Sequence, residues 1–136
     1  MPTRDEWLAL AERCETAEGP DRELDRAFGA ALHPDANLWT PSFWSGGPNE
    51  FLRWPDRENG AARYEMLPQY TTSLDAAVAV VEEYFGRRWQ LKWLGDEHGH
   101  DIVDAWVEDA YGNSYVSPAL ALMAAYCRAR AEEETT

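Results

Sequence analysis

Four stretches of the chain repeat apolar residues at the three- and four-residue spacing of an amphipathic helix. The first begins at a T-x-x-E capping box formed by Thr3 and Glu6, and it ends near Gly19. The second begins at Asp21, a good helix cap, and ends before Pro34, because proline pushes the preceding residue out of the helical region. The pattern therefore predicts two consecutive helices at the start of the chain.

The second helix carries a charged side opposite its apolar stripe. Arg22, Glu23, Asp25 and Arg26 fall on that side. Such a face usually contacts water, so we expect these side chains to be solvated.

The stretch Leu67–Phe85 combines a turn with a third helix. Thr72 or Ser73 is the expected N-cap, and Gly86 follows the last apolar position as a helix stop. A fourth helix begins at Ser117-Pro118, with serine as cap and proline in the first turn, and its pattern continues to about residue 131. Residues 132–136 are expected to fray.

Two stretches, 88–94 and 102–110, alternate in the manner of β-strands. An antiparallel register in which residue numbers sum to 196 pairs apolar with apolar and opposite charge with opposite charge. It places Trp89 against Val107, Leu91 against Ala105 and Trp93 against Val103. We expect the apolar face of the helix at 74–85 to pack on these tryptophans.

The remaining local signals are weaker. Tyr111–Ser114 has the composition of a turn, and Tyr115-Val116 could form a short return strand. Residues 35–66 are rich in aromatic residues and interrupted by proline and glycine, with short strands expected within 37–44 and at 63–66. Together the patterns predict a single α+β domain over 1–136, with about four helices, the hairpin and one or two short strands in a small, mainly antiparallel sheet.

Composition narrows the classes of partner. The 136 residues include 25 acidic and 12 basic side chains, for a net charge of −13. Such a balance disfavours direct nucleic-acid binding, although an acidic surface could bind a basic protein. No signal peptide or apolar run of membrane-spanning length is apparent, and both cysteines fall on apolar helix faces, so we expect a reduced, cytoplasmic protein without a membrane partner.

The aromatic segment holds the candidate chemistry. Its rings could fill the core, or they could form a pocket wall that stacks on a flat ligand, with arginines meeting phosphates. The candidate ligand-binding residues are Trp39, Phe43, Trp44, Trp54, Tyr70, Thr71, Arg22 and Arg63, and Arg53 is a further arginine that could meet phosphate.

Neither a catalytic motif nor a cofactor motif stands out in the sequence. The cluster Asp96, Glu97, His98, His100 and Asp101 has metal-ligand residue types, but its acids belong to a hairpin loop without a nearby cysteine, so we expect a solvated loop tip. We therefore expect neither an enzyme nor a metal site.

Three blocks of sequence resemble the phage ABA-sandwich family of tailed-phage and prophage proteins. They are GPDRELD at 19–25, PQYTTSLDAA at 68–77 and SPALALMAA at 117–125. The chain departs from the family pattern by the insertion of Pro20-Asp21 and by its long aromatic segment. The resemblance implies a three-layer α/β/α sandwich and a phage or prophage origin, and it implies no established reaction.

These observations support three hypotheses. The first is a non-enzymatic phage accessory protein for counter-defence, which binds and sequesters a small nucleotide-derived immune signal in the host cytoplasm. The second is an acidic, anti-CRISPR-like inhibitor that occupies a basic nucleic-acid-binding surface of a host defence protein. The third is a phage domain that forms a homodimer through the aromatic segment or a sheet edge.

Overall fold

The computed structural model describes residues 2–40, 50–55, 60–95 and 101–134. Its four helices are α1 (Arg4–Thr16), α2 (Arg22–Leu32), α3 (Leu74–Phe85) and α4 (Pro118–Glu133). The predicted caps are confirmed: Thr3 forms the capping box with Glu6, and Asp21, Ser73 and Ser117 cap the other three helices. Helix α4 ends two residues beyond the predicted end, so Glu132 and Glu133, which were expected to fray, are helical.

The strands form two antiparallel sheets of three strands each. The first sheet contains β1 (Asn37–Trp39), β2 (Phe51–Trp54) and β3 (Arg63–Met66). The second contains β4 (Trp89–Gly95), β5 (Asp101–Val107) and β6 (Ala110–Ser114). The predicted α+β class is confirmed, and the arrangement is consistent with a small α+β sandwich.

The register of the central hairpin is the predicted one. Trp89 pairs with Val107, Leu91 with Ala105 and Trp93 with Val103. A slip of one residue would move each apolar side chain to the opposite face, so alternation specifies the faces. The pairing of Lys92 with Asp104 adds the charge complementarity that a slip of two residues would lose.

The predicted turn at Tyr111–Ser114 is wrong, because these residues belong to β6. The chain reverses earlier, at Glu108, whose φ of 54° is the left-handed conformation of a tight turn. Gly112 serves a different purpose from a turn: a Cβ there would lie 2.5 Å from the Ala125 amide nitrogen and 2.6 Å from the Ala121 carbonyl oxygen. The glycine allows α4 to approach the sheet closely.

Helix α4 is the centre of the core. It contacts α1, α3, β5 and β6, and almost all of its residues from Ala119 to Ala131 are buried. The prediction that α3 packs across the tryptophans of β4 is therefore wrong: α3 packs on α4, and Trp93 is 58% exposed. Helix α4 has the longer apolar surface and covers the sheet at β5 and β6. The indole nitrogen of Trp89 donates a 3.3 Å hydrogen bond to Glu82 of α3.

The buried apolar side chains of the described residues form one cluster that includes members of all four helices and both sheets. Within the described ranges, no helix has the length and apolar character needed to cross a membrane.

Candidate ligand-binding surface

The turn that precedes α3 is buried against the starts of α2 and α4, and we call this contact region the joint. Tyr70 and Thr71 are 1% and 0% exposed. The Thr71 amide donates to the Asp25 carboxylate over 2.9 Å, and the Thr71 hydroxyl accepts from the Asp21 amide over 3.0 Å. The Ser117 hydroxyl donates to the Thr71 carbonyl over 3.4 Å, so the turn joins the starts of α2 and α4.

Arg22 belongs to the same joint. Its guanidinium lies 3.2 Å from the Asp25 carboxylate and donates to the carbonyls of Leu67 and Pro68 over 3.3 and 3.4 Å. The expectation of a solvated charged face on α2 is therefore wrong for Asp25, which is 2% exposed, because the carboxylate has an arginine and a backbone amide as partners. Among the described residues, Arg22, Tyr70 and Thr71 thus contribute to the contact between the turn and the starts of the helices.

The first sheet has one face covered by α2. A Cβ on Gly29 of that helix would lie 3.2 Å from a methyl group of Leu52 in β2, so the leucine lies directly against the helix. Side chains alternate along a strand, and directly paired residues share a face. The opposite face, which we call the aromatic face, carries Asn37, Trp39, Phe51, Arg53, Tyr64 and Met66.

The rings of the aromatic face lie in contact with one another. The Trp39 ring centroid is 4.9 Å from that of Tyr64 and 5.8 Å from that of Phe51. Tyr64 and Met66 are 45% and 61% exposed, whereas Trp39 and Phe51 are half-buried. Among the described residues, the face is therefore a partly exposed apolar surface.

Arg53 supplies the charge of this face. In the sheet, Arg53 lies opposite Asn37 of β1 and opposite Tyr64 of β3, and its side chain is half-buried. Its Nε is buried and has no hydrogen-bond partner among the described residues. None of the six residues of the aromatic face is acidic, so its local charge is opposite to that of the protein as a whole.

Two other candidates lie on the side of the sheet that faces α2. The Arg63 guanidinium lies 4.3 Å above the centre of the Trp54 ring, and that ring is 5.3 Å from the His33 imidazole. The structure therefore separates Trp54 and Arg63 from Trp39 by the thickness of the sheet. Phe43 and Trp44 lie outside the described residues.

Sequence reasoning did not select Phe51, Tyr64 and Met66 as site residues and did not predict β2. The signal was the alternation of Phe51, Leu52, Arg53 and Trp54, which is short and lies between segments rich in glycine and proline.

The described residues contain no group of three or more histidine, cysteine or acidic side chains that could hold a metal ion, and the predicted solvated loop with His98 and His100 lies outside them. Burial raises the pKa of both Cys14 and Cys127 well above that of a free thiol, which leaves the thiolate form scarce.

Comparisons with models of known protein families, with curated proteins and with solved structures found no match.

Proposed function

We propose that the protein is a non-enzymatic binder of a small, nucleotide-like anion and that the ligand stacks on the aromatic face. The observation that carries the proposal is the contiguous set of Trp39, Phe51 and Tyr64 rings beside Arg53. An aromatic ring stacked on a base contributes about 1–3 kcal/mol, and a hydrogen bond to a charged group contributes about 1.5–3 kcal/mol. These two terms together suit a ligand that has both a base and a phosphate.

The charge pattern supports an anion at this position in spite of the net charge of −13. Coulombic repulsion from distant surface acids is screened beyond about 8–10 Å in physiological salt. The local balance, with one arginine and no acid on the aromatic face, therefore has more influence on binding than the total charge.

The resemblance of the three sequence blocks to phage ABA-sandwich proteins gives the biological setting of the proposal. In that setting the protein would act for a phage or prophage in the host cytoplasm and would sequester a nucleotide-derived immune signal. Sequestration needs binding without turnover, and an exposed stacking surface is in keeping with that role.

The test is a titration with cyclic dinucleotides and ADP-ribose isomers, followed by thermal shift and calorimetry. We expect at least one of them to stabilise the protein, and we expect Trp39→Leu and Arg53→Gln each to weaken its binding about tenfold or more. The matched control is Tyr115→Ser, which removes an aromatic ring that is 68% exposed outside the aromatic face and should leave affinity unchanged. Failure of every nucleotide to bind would overturn the proposal.

A second candidate function rests on the exposed Tyr64 and Met66. These side chains, at 45% and 61% exposure, would also suit the interface of a homodimer. Sedimentation with and without nucleotide separates the candidates: a dimer that Met66→Glu converts to a monomer, with no nucleotide bound by either form, would favour the homodimer.

A further inference from the structure

A pocket of about 300 Å³ lies where the end of α2 meets α3 and α4. Leu32 and Val80 supply apolar walls, Tyr84 and Tyr126 supply aromatic ones, and Arg130 supplies a positive charge. This volume is at the small end of the range for ligand pockets, about 300–1,000 Å³. The pocket shares no residue with the aromatic face.

Arg130 is unusual among the arginines of this protein. It is 7% exposed, yet it forms no ion pair with any described residue. By contrast, Arg128 on the same helix pairs with Glu15, and Arg26 pairs with Glu50. In a chain with 25 acids and 12 bases, a buried arginine without a carboxylate is the exception to be explained.

The guanidinium of Arg130 is only partly satisfied. Its Nη1 donates to the Tyr126 hydroxyl over 2.7 Å, whereas its Nε is buried without a partner among the described residues. Its Cζ lies 3.9 Å from the centre of the Tyr84 ring and 4.8 Å from that of Trp7. Cation–π contacts offset part of the cost of burying the charge, but they do not replace a hydrogen-bond acceptor for the guanidinium.

The chemistry of the pocket favours a carboxylate as the missing partner. A guanidinium presents two parallel N–H groups that match the two oxygens of a carboxylate. Burial raises the pKa of Tyr126 to about 12, so at neutral pH its hydroxyl keeps its proton and can donate. Two carboxylates lie close to the pocket: Glu83 lines it, and Glu133 accepts a 2.6 Å hydrogen bond from the Tyr84 hydroxyl. Their negative charges repel a dianion such as phosphate more strongly than a monoanion.

We propose that this pocket binds the carboxylate of a small apolar or aromatic acid, with Arg130 as the residue that receives it. The apolar body of the acid would lie against Leu32 and Val80. The inference is independent of the proposed function, since either site could bind its ligand without the other.

Benzoate is a suitable probe, with benzamide as its uncharged analogue and inorganic phosphate as the competing class of anion. For a ligand of this size in a preformed pocket, we expect a Kd on the order of 1 mM by NMR titration. Benzamide and phosphate should each bind about tenfold more weakly or not at all, because benzamide lacks the charge and phosphate carries too much of it.

Variants locate the binding. Val80→Phe narrows the pocket without altering the guanidinium and should abolish benzoate binding. Arg130→Lys keeps the positive charge but loses the two parallel N–H donors of the guanidinium, and it should weaken benzoate binding about tenfold. Glu83→Gln removes a repelling charge from the pocket wall and should strengthen it about threefold. The control is Arg87→Gln, which removes an exposed arginine that does not line this pocket and should change nothing.

Absence of benzoate binding to the wild-type protein at about 20 mM, well above the expected Kd, would overturn the proposal and would assign Arg130 to structural cation–π packing alone. Equal binding by the wild type and Val80→Phe would overturn it as well, since the ligand would then lie elsewhere. If Arg130→Lys does not fold, the opposite effects expected from Val80→Phe and Glu83→Gln still decide the question.

Discussion

Replacement of Gly112 by alanine tests the contact on which the core depends. The glycine lies in β6 directly beneath α4, and an added Cβ would lie 2.5 Å from the amide nitrogen of Ala125, 2.6 Å from the carbonyl oxygen of Ala121 and 2.8 Å from the Cβ of Ala124. Carbon atoms in contact sit at about 3.5–4.0 Å, so the new methyl group overlaps its neighbours by roughly 1 Å. Two of those neighbours are backbone atoms, which no rotamer change can move away.

The helix must therefore shift as a unit away from the sheet. Overpacking of a well-packed core costs about 1–3 kcal/mol, and a clash with backbone belongs at the upper end. The smaller entropy of the unfolded alanine chain returns about 0.4–1 kcal/mol. We expect the free energy of unfolding of Gly112→Ala to fall by about 2 kcal/mol, which for a chain of this length lowers Tm by roughly 6–10 °C.

The assay is urea unfolding followed by circular dichroism, with thermal unfolding as a second measurement. Gly19→Ala is the matched control, because a Cβ at that position meets nothing within 4 Å and its φ is not positive. It should change stability by no more than about 0.5 kcal/mol. Equal stability of the two variants would refute the close approach of α4 to β6.

Three further predictions concern Asp25, Glu50 and the two cysteines. Asp25→Ala should lower the free energy of unfolding by about 3 kcal/mol in urea titrations, because it removes the carboxylate that accepts from the Thr71 amide and the Arg22 guanidinium. A loss below about 0.5 kcal/mol would contradict the importance of these contacts. The hydrogen bond from Arg26 lowers the pKa of Glu50 below its ordinary value of 4.5, so the pair stabilises the protein fully above pH 4.5 and loses its effect as the pH falls through the folded-state pKa. The stability of Glu50→Gln should therefore fall less steeply with acid than that of the wild type, and equal acid unfolding curves would count against the Arg26–Glu50 ion pair. Cys14 and Cys127 should react with Ellman's reagent only after unfolding, and rapid labelling of the native protein would show that they are accessible.

The elements that the sequence predicted well are those with a repeating physical signal. The hairpin register followed from alternation, since both β4 and β5 have one apolar face and paired charges on the other. The four helix starts followed from local hydrogen bonding, because the capping side chain and the amide it satisfies are only two or three residues apart.

The elements it missed depend on contacts between distant residues. Gly112 and Asn113 resemble a turn in sequence, and only the proximity of α4 explains a glycine within a strand. The partners Asp25 and Thr71 are 46 residues apart, so a polar position that is buried looked like part of a solvated face. Helix α3 was assigned to the wrong neighbour because an apolar stripe shows that a helix is covered without showing what covers it.

The sequence leaves open whether the rings of the aromatic segment fill the core or form a wall for a ligand. In the structure, Trp39 lies on the aromatic face of the first sheet. The division of the other candidates between the two faces of the first sheet depends on β2, whose four residues give too short a pattern to assign from sequence. Nothing local in the sequence marks the burial of Arg130 against three aromatic rings.

The most direct test of the proposed binding surface is NMR mapping of the indole N–H signals during titration with a cyclic dinucleotide or an ADP-ribose isomer. The account predicts that the Trp39 indole signal shifts in a saturable manner together with the Tyr64 ring signals, while the signal of the fully buried Trp7 stays in place. A saturable nucleotide complex that leaves Trp39 and Tyr64 unchanged, or no complex with any of these nucleotides, would contradict it.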